Sequence, residues 1–255
     1  MTALPARLHD RLQALAASLA ARPDALGLLG LGSVGCETER ADAWSDLDFF
    51  VLVRPGSKPG YLSSLDWLAA AHPLAWAFAN TVDGCKALMS DGLFCEFAVF
   101  EPQELAGIPY APGRWLWRRE AEVEAAWATP ARPLPAPHSV EWRVGEALSN
   151  LLVGLQRWQR GERVAAMRMV QVFALDRLLE LIDEAQAGTP GVTRDAFSAE
   201  RRFEARHPGQ AVHLARWAPG LSGTPEAALA MLDALAALGP LPQPVVQQIV
   251  SLARR

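Results

Sequence analysis

Leu28-Leu29-Gly30-Leu31-Gly32-Ser33 and, after a polar linker, Trp44-Ser45-Asp46-Leu47-Asp48-Phe49-Phe50-Val51-Leu52-Val53 decide the reading of this chain. Two apolar runs of strand length bracket a glycine-serine turn and a pair of aspartates. In an extended strand, residues i and i+2 point to the same face. Asp46 and Asp48 therefore project together, while Leu47 and Phe49 point the other way into a core. Two adjacent carboxylates repel each other unless a cation lies between them. Mg2+ prefers such oxygen ligands and completes its shell with phosphates and water. Gly32 lets the backbone approach a ligand closely. A strand that turns into a helix start aims unpaired N–H groups at an anion, and Ser33 adds a hydroxyl. Phosphate grip plus paired metal ligands predicts a nucleoside triphosphate held as its metal complex.

Composition narrows the partners. The 255 residues carry a net charge of −4, without the basic footprint of a general nucleic-acid binder. A small or cationic partner is expected instead. Cys36, Cys85 and Cys95 are an odd number without paired metal spacing, which predicts free thiols in a reducing cytoplasm. The N-terminus lacks a signal pattern, and no apolar run is of bilayer-spanning length, so no membrane association is expected. His72, His138, His207 and His213 lack metal-ligand spacing. His72-Pro73 and His207-Pro208 read as helix ends.

Two segments of different character follow. Leu8, Leu12, Leu15 and Leu19 recur at helical spacing and open the chain with an amphipathic helix. Strands are expected at about Leu26 to Leu31, Leu47 to Val53, Ala75 to Val82, Cys85 to Met89 and Leu93 to Phe100. Trp115 and Trp117 alternate on one more, as packing residues. Ser63 or Ser64 caps a short helix running through Leu68 to Ala71. After the proline-rich stretch Pro130 to Pro137 the period becomes helical. One stripe runs from Val140 to Trp158 and a second from Val164 to Ile182. A polar helix is predicted over Arg194 to Arg206. Thr224-Pro225-Glu226 starts another helix, and a last one covers Val245 to Leu252. The expected fold class is α+β: a small mixed β-sheet domain over residues 1–130, then a helical bundle over residues 138–255. Of the helical arginines, Arg143 and Arg168 are the ones that could reach a triphosphate, with surface solvation as the plainer role.

The order Leu31-Gly32-Ser33, then Asp46-Leu47-Asp48-Phe49, resembles the DNA polymerase beta-like nucleotidyltransferase superfamily. The layout resembles its antibiotic-modifying members, above all the lincosamide group, beside the aminoglycoside enzymes. Gly92 to Phe100 around Glu96, and Arg201-Arg202-Phe203-Glu204 before Pro208, carry that likeness. The resemblance implies transfer of a nucleoside monophosphate from a triphosphate to a hydroxyl, with release of pyrophosphate. It implies Mg2+ on Asp46 and Asp48, phosphates on Gly32 and Ser33, an acceptor in a cleft between the halves, and a homodimer. It also implies a third carboxylate from a later strand. Glu96 fits, as a lone charge in a strand-forming run, costly to bury without a partner. Its role is general base or ligand of a second metal. Asp83-Gly84 and Asp91-Gly92 read as turns.

Taken singly, each site residue also has a plain structural role. Gly32 could end a strand, Ser33 could cap a helix, Asp46 could belong to a turn, and Glu96 could face solvent on an edge strand. Two rival functions remain: a retired nucleotide-binding regulatory module, and a protein-modifying (AMPylating) toxin–antitoxin component.

Overall fold

The computed structural model describes residues 4–132, 136–195 and 197–255. It divides into two compact units, Met1–Pro135 and Ala136–Arg255. Part of the stretch Pro130 to Pro137, expected from sequence as a boundary, lies outside the described residues.

The first unit is built on a mixed sheet. Among the described residues its six strands are β1 (Ala25–Gly30), β2 (Leu47–Val53), β3 (Leu74–Ala79), β4 (Gly84–Met89), β5 (Phe94–Phe100) and β6 (Arg114–Arg118), in the order β3-β4-β5-β2-β1-β6. The β2–β5 pair is parallel and the other neighbours are antiparallel. One sheet face packs Leu28, Leu47, Phe49, Val51, Cys95 and Phe97 against helix α1 (Ala6–Ala20). The helix contributes Leu8, Leu12, Leu15 and Leu19, all buried. Burying one such leucine stabilises the fold by about 1.5–3 kcal/mol. Trp67, from α3 (Asp66–Ala69), meets Phe49 and Phe97 edge to face in the same core.

The other face is covered only in part. Leu29, Leu52, Phe100, Leu105 and Tyr110 form a second apolar cluster there. A register shift within the β1–β6 pairing separates the two strand tryptophans. Trp115 joins this second cluster and Trp117 the first, so they do not share the single face that strict alternation predicts.

Two local expectations for this unit are corrected. Helix α2 (Lys58–Ser63) precedes α3. Ser63 ends α2, Ser64 follows it, and Leu65 holds the N-cap position of α3, so neither serine caps the short helix expected through Leu68 to Ala71. Pro59 at the start of α2 supplies the helical φ that favours this earlier start. Behind Gly32 stands a single 3-10 turn, Gly32–Val34, instead of an α-helix. Gly35 ends it by passing tightly under the end of β1.

The second unit is helical. Helix α4 (Val140–Gln159) is capped by Ser139, whose hydroxyl accepts from the Trp142 N–H at 3.2 Å. Helices α5 (Arg163–Arg168) and α6 (Leu175–Ala185) are joined without a break by a π-helical turn, Met169–Ala174. Three one-turn helices follow, α7 (Phe203–Arg206), α8 (Pro208–Ala211) and α9 (Leu214–Trp217), then α10 (Thr224–Leu238) and α11 (Gln243–Ala253). Leu148, Leu151, Val170, Leu178, Phe203 and Met231 are buried at its centre.

The polar helix expected over Arg194 to Arg206 is present only as α7. Side chains compete for the backbone there. Asp195 accepts from the N–H groups of Phe197 and Ser198, and Arg202 takes a left-handed conformation.

Gly35 gives a direct test of the turn. A Cβ at Gly35 would lie 2.8 Å from the Leu31 backbone. Gly35→Ala is expected to destabilise the protein by about 1–3 kcal/mol, the usual cost of overpacking, measured by urea unfolding. An unchanged midpoint would show that the turn packs differently.

Candidate functional site

The candidate residues gather where β1 ends and β2 begins. The Leu31 N–H donates to the Asp48 carbonyl at 2.8 Å, which ties the turn to the aspartate strand. Gly32 then adopts φ +49°, a left-handed angle that suits glycine. A Cβ at Gly32 would lie 2.8 Å from Arg40 Nη2 and 3.7 Å from Asp48 Oδ2. The absence of a side chain thus lets the Arg40 guanidinium pack close against Gly32, with the Asp48 carboxylate beside it. The turn closes through the N–H groups of Val34, Gly35 and Glu37, which reach back to Leu31 and Gly32 carbonyls. Ser33 is buried, 3 % exposed, so a ligand meets the half-buried Gly32 first.

Burial alternates along the aspartate segment. Asp46 and Asp48 are half-buried, while Leu47 and Phe49 are buried. Asp46 stands just ahead of β2 rather than within it. Parallel pairing then sets Asp48 directly against Glu96 of β5. Adjacent strands lie about 4.8 Å apart, and residues in register share a face. Glu96 is therefore on the Asp48 side of the sheet.

Two further groups hold Glu96. Lys86 is its register partner on β4, and its Nζ lies 3.1 Å from Glu96 Oε2. Asn80 donates from Nδ2 to Glu96 Oε1 at 3.3 Å. Sequence reasoning missed both. Lys86 stands out as a lone cation in an apolar strand, but nothing local says which carboxylate it faces. Arg40, the cation beside Gly32, is also ion-paired with Glu37. The turn aspartates have structural partners: Asp83 with Lys58 at 2.6 Å, and Asp91 with Arg11 at 3.0 Å.

Among the described residues, no three His, Cys, Asp or Glu side chains converge into a metal-holding group. The metal-holding convergence of Asp46, Asp48 and Glu96 expected from sequence is not formed among the described residues, and Glu96 is engaged by Lys86 and Asn80. The donor chemistry still fits Mg2+, which is commonly held by one or two carboxylates plus substrate phosphates. Gly32 and the Arg40 guanidinium stand beside Asp48 Oδ2, a cation and a bare backbone next to that carboxylate.

The neighbours of this structure are nucleotidyltransferases. The chain is similar to an aminoglycoside 6-adenyltransferase from Bacillus subtilis, with 9 % identity and a TM-score of 0.42, covering 95 % of this chain and 98 % of that one. It is similar to a nucleotidyltransferase-like protein from Exiguobacterium sibiricum, with 13 % identity and a TM-score of 0.35, covering 89 % and 74 %. A third is the Bradyrhizobium diazoefficiens CD-NTase CdnG in complex with GTP, with 16 % identity, a TM-score of 0.29, and coverage of 99 % and 96 %. No protein-family model and no curated protein matches the chain. At these scores the neighbours transfer no residue role or acceptor to this chain.

The helical arginines differ: Arg143 is buried, whereas Arg168 is exposed, as its plainer surface role implies. Arg143 is buried, ion-paired with Glu184, and donates to the His138 and Glu180 carbonyls at 2.9 and 3.2 Å. Asp183 accepts from Arg206 at 2.9 and 3.0 Å and lies 2.7 Å from His207 Nε2. These bonds tie α4, α6, α7 and α8 together within the second unit. Arg168 lies over the Phe173 ring, with its guanidinium 5.8 Å from the centroid. No helix among the described residues is long and apolar enough to cross a membrane.

The cysteines provide a chemical check of the sheet. Cys36 is exposed, whereas Cys85 and Cys95 are buried. Burial pushes the Cys95 thiol up to about 12, and the nearby Asp46, Asp91 and Asp48 charges push the same way against Arg11. The reactive form is the thiolate. In the native protein at pH 8, iodoacetamide is expected to label Cys36 and to spare Cys85 and Cys95, read by peptide mass mapping. Rapid labelling of Cys95 would contradict the placement of β5.

Proposed function

We propose that this chain moves a nucleoside monophosphate from a Mg2+-bound triphosphate, ATP by preference, to a hydroxyl of a small molecule. The observation that carries this reading is the register of Asp48 against Glu96, beside a glycine turn bonded to the Asp48 backbone. Hydroxylated antibiotics of the lincosamide and aminoglycoside classes are the acceptors to try first, on the sequence resemblance.

Asp46 and Asp48 would hold the metal, which when bound neutralises charge on the phosphates. The turn at Gly32 receives the triphosphate tail, with Arg40 beside it. Glu96 takes the proton from the acceptor hydroxyl as its oxygen bonds to the α-phosphorus. The bond from that phosphorus to the β-phosphate oxygen breaks, and pyrophosphate leaves. Lys86 and Asn80 keep the Glu96 carboxylate in place, so the assignment of Glu96 as base is favoured over a second metal ligand. The rest of the chain's contribution is positioning and fixed charge.

The test is Mg2+-dependent release of pyrophosphate with a panel of hydroxylated antibiotics, with the product identified by its gain of one nucleotide in mass. Glu96→Gln is expected to lower kcat about 10²–10⁴-fold while leaving triphosphate affinity in place. Asp46→Asn and Asp48→Asn should abolish transfer with the fold intact. Wild-type turnover in Asp48→Asn would remove the metal assignment. Mg2+-ATP binding without transfer to any acceptor would favour the regulatory reading.

A further inference from the structure

The sheet face that carries Asp48 and Glu96 continues to two exposed aromatic rings. Trp76 and Phe78 stand on edge strand β3, 50 % and 44 % exposed. Their centroids are 4.9 Å apart, with the rings tilted by 41°. Register carries Phe78 to Lys86, Lys86 to Glu96 and Glu96 to Asp48, so all four lie in one row on one face. Asn80, two residues beyond Phe78, reaches the Glu96 carboxylate. The line Trp76, Phe78, Asn80 therefore leads directly to the proposed base.

Single exposed apolar residues need no explanation, but a contacting pair of large rings beside a polar site offers a binding face. Such rings accept the flat face of another ring without requiring hydrogen bonds. The strand order fixes which substrate this concerns. The phosphate-gripping turn is at the end of β1, and β3 lies on the opposite side of Glu96. In-line displacement brings the attacking hydroxyl from the side opposite the leaving pyrophosphate. Two strand spacings, about 10 Å, separate β3 from β5, a span that a two-ring compound covers.

We infer that Trp76 and Phe78 form the platform for the acceptor, a ring-bearing hydroxyl compound that lays one apolar face on them and presents its hydroxyl to Glu96. This rests on the transfer reading above. The base of the triphosphate is the other possible source of a flat ring, and the test separates the two.

Binding of a nitrophenyl galactoside to the full chain is measured by calorimetry, alongside Mg2+-ATP and Mg2+-tripolyphosphate. Trp76→Ala with Phe78→Ala should weaken the galactoside about tenfold or more, the worth of a lost stacking contact. The same double variant should leave Mg2+-ATP affinity within about twofold. Trp76→Phe with Phe78→Tyr, which keeps the rings, should retain galactoside binding. No galactoside binding to the wild type, or equal binding to the alanine variant, overturns the proposal. Loss of Mg2+-ATP with tripolyphosphate retained assigns the rings to the base and also overturns it. A wild-type dimer that becomes a monomer in the alanine variant assigns the face to a second copy and likewise overturns it. Ring-dependent galactoside binding in a chain that does not bind Mg2+-ATP supports the platform while removing the transfer reading.

Discussion

Backbone pairing of two adjacent parallel strands sets Asp48 of β2 against Glu96 of β5. Asp48 and Glu96 are held about one strand spacing apart by backbone pairing, a separation at which like charges repel. The backbone ladder cannot relax this without shifting the register, and a one-residue slip would turn Phe49 and Phe97 out of the core. The stacked rings of Phe49 and Phe97, 5.3 Å apart on the buried face, thus lock the acids together on the open face. Lys86 offsets part of the repulsion from the next strand. In the proposed complex a divalent cation on Asp46 and Asp48 would add to that offset.

The glycine turn belongs to the same device. Its bond to the Asp48 carbonyl ties the bend at Gly32 to the strand that carries Asp48. Gly32 lets Arg40 pack close beside Asp48 Oδ2, and Gly35 lets the turn fold tightly back beneath β1. Positioning of this kind is most of what a protein supplies to phosphoryl chemistry. The opposite flank of the row, through Lys86 to Phe78 and Trp76, is apolar and exposed, and so suited to a different ligand.

Where a residue's environment is set by its sequence neighbours, the sequence was sufficient. Leu47 and Phe49 alternate with Asp46 and Asp48, and the observed β2 has the expected bounds. The leucine stripe of α1 is likewise a local pattern and packs as its spacing implies, and in the α4 stripe Leu148, Leu151 and Leu155 are buried while Val140 stays exposed. Local reading fails where remote partners decide. That Lys86 faces Glu96 depends on which strand pairs with which, and no window of sequence holds that information. Arg143 reads as a surface charge until Glu184, forty-one residues away, is seen to hold it. The stretch after Arg194 has helical composition, yet Asp195 caps the backbone locally and the helix does not form. The turn behind Gly32 is shorter than its pattern suggests because Gly35 is needed for close packing there.

The central claim is that Asp46 and Asp48 bind a metal-bound triphosphate against the bend at Gly32, with Glu96 facing the reacting phosphorus. A crystal structure with Mg2+ and a non-hydrolysable ATP analogue tests it most directly. The account expects both aspartate carboxylates on the ion at about 2.0–2.1 Å, the terminal phosphates at Gly32, and Glu96 on the side of the α-phosphorus away from them. A nucleotide bound elsewhere, or an ion that bypasses both aspartates, would contradict it.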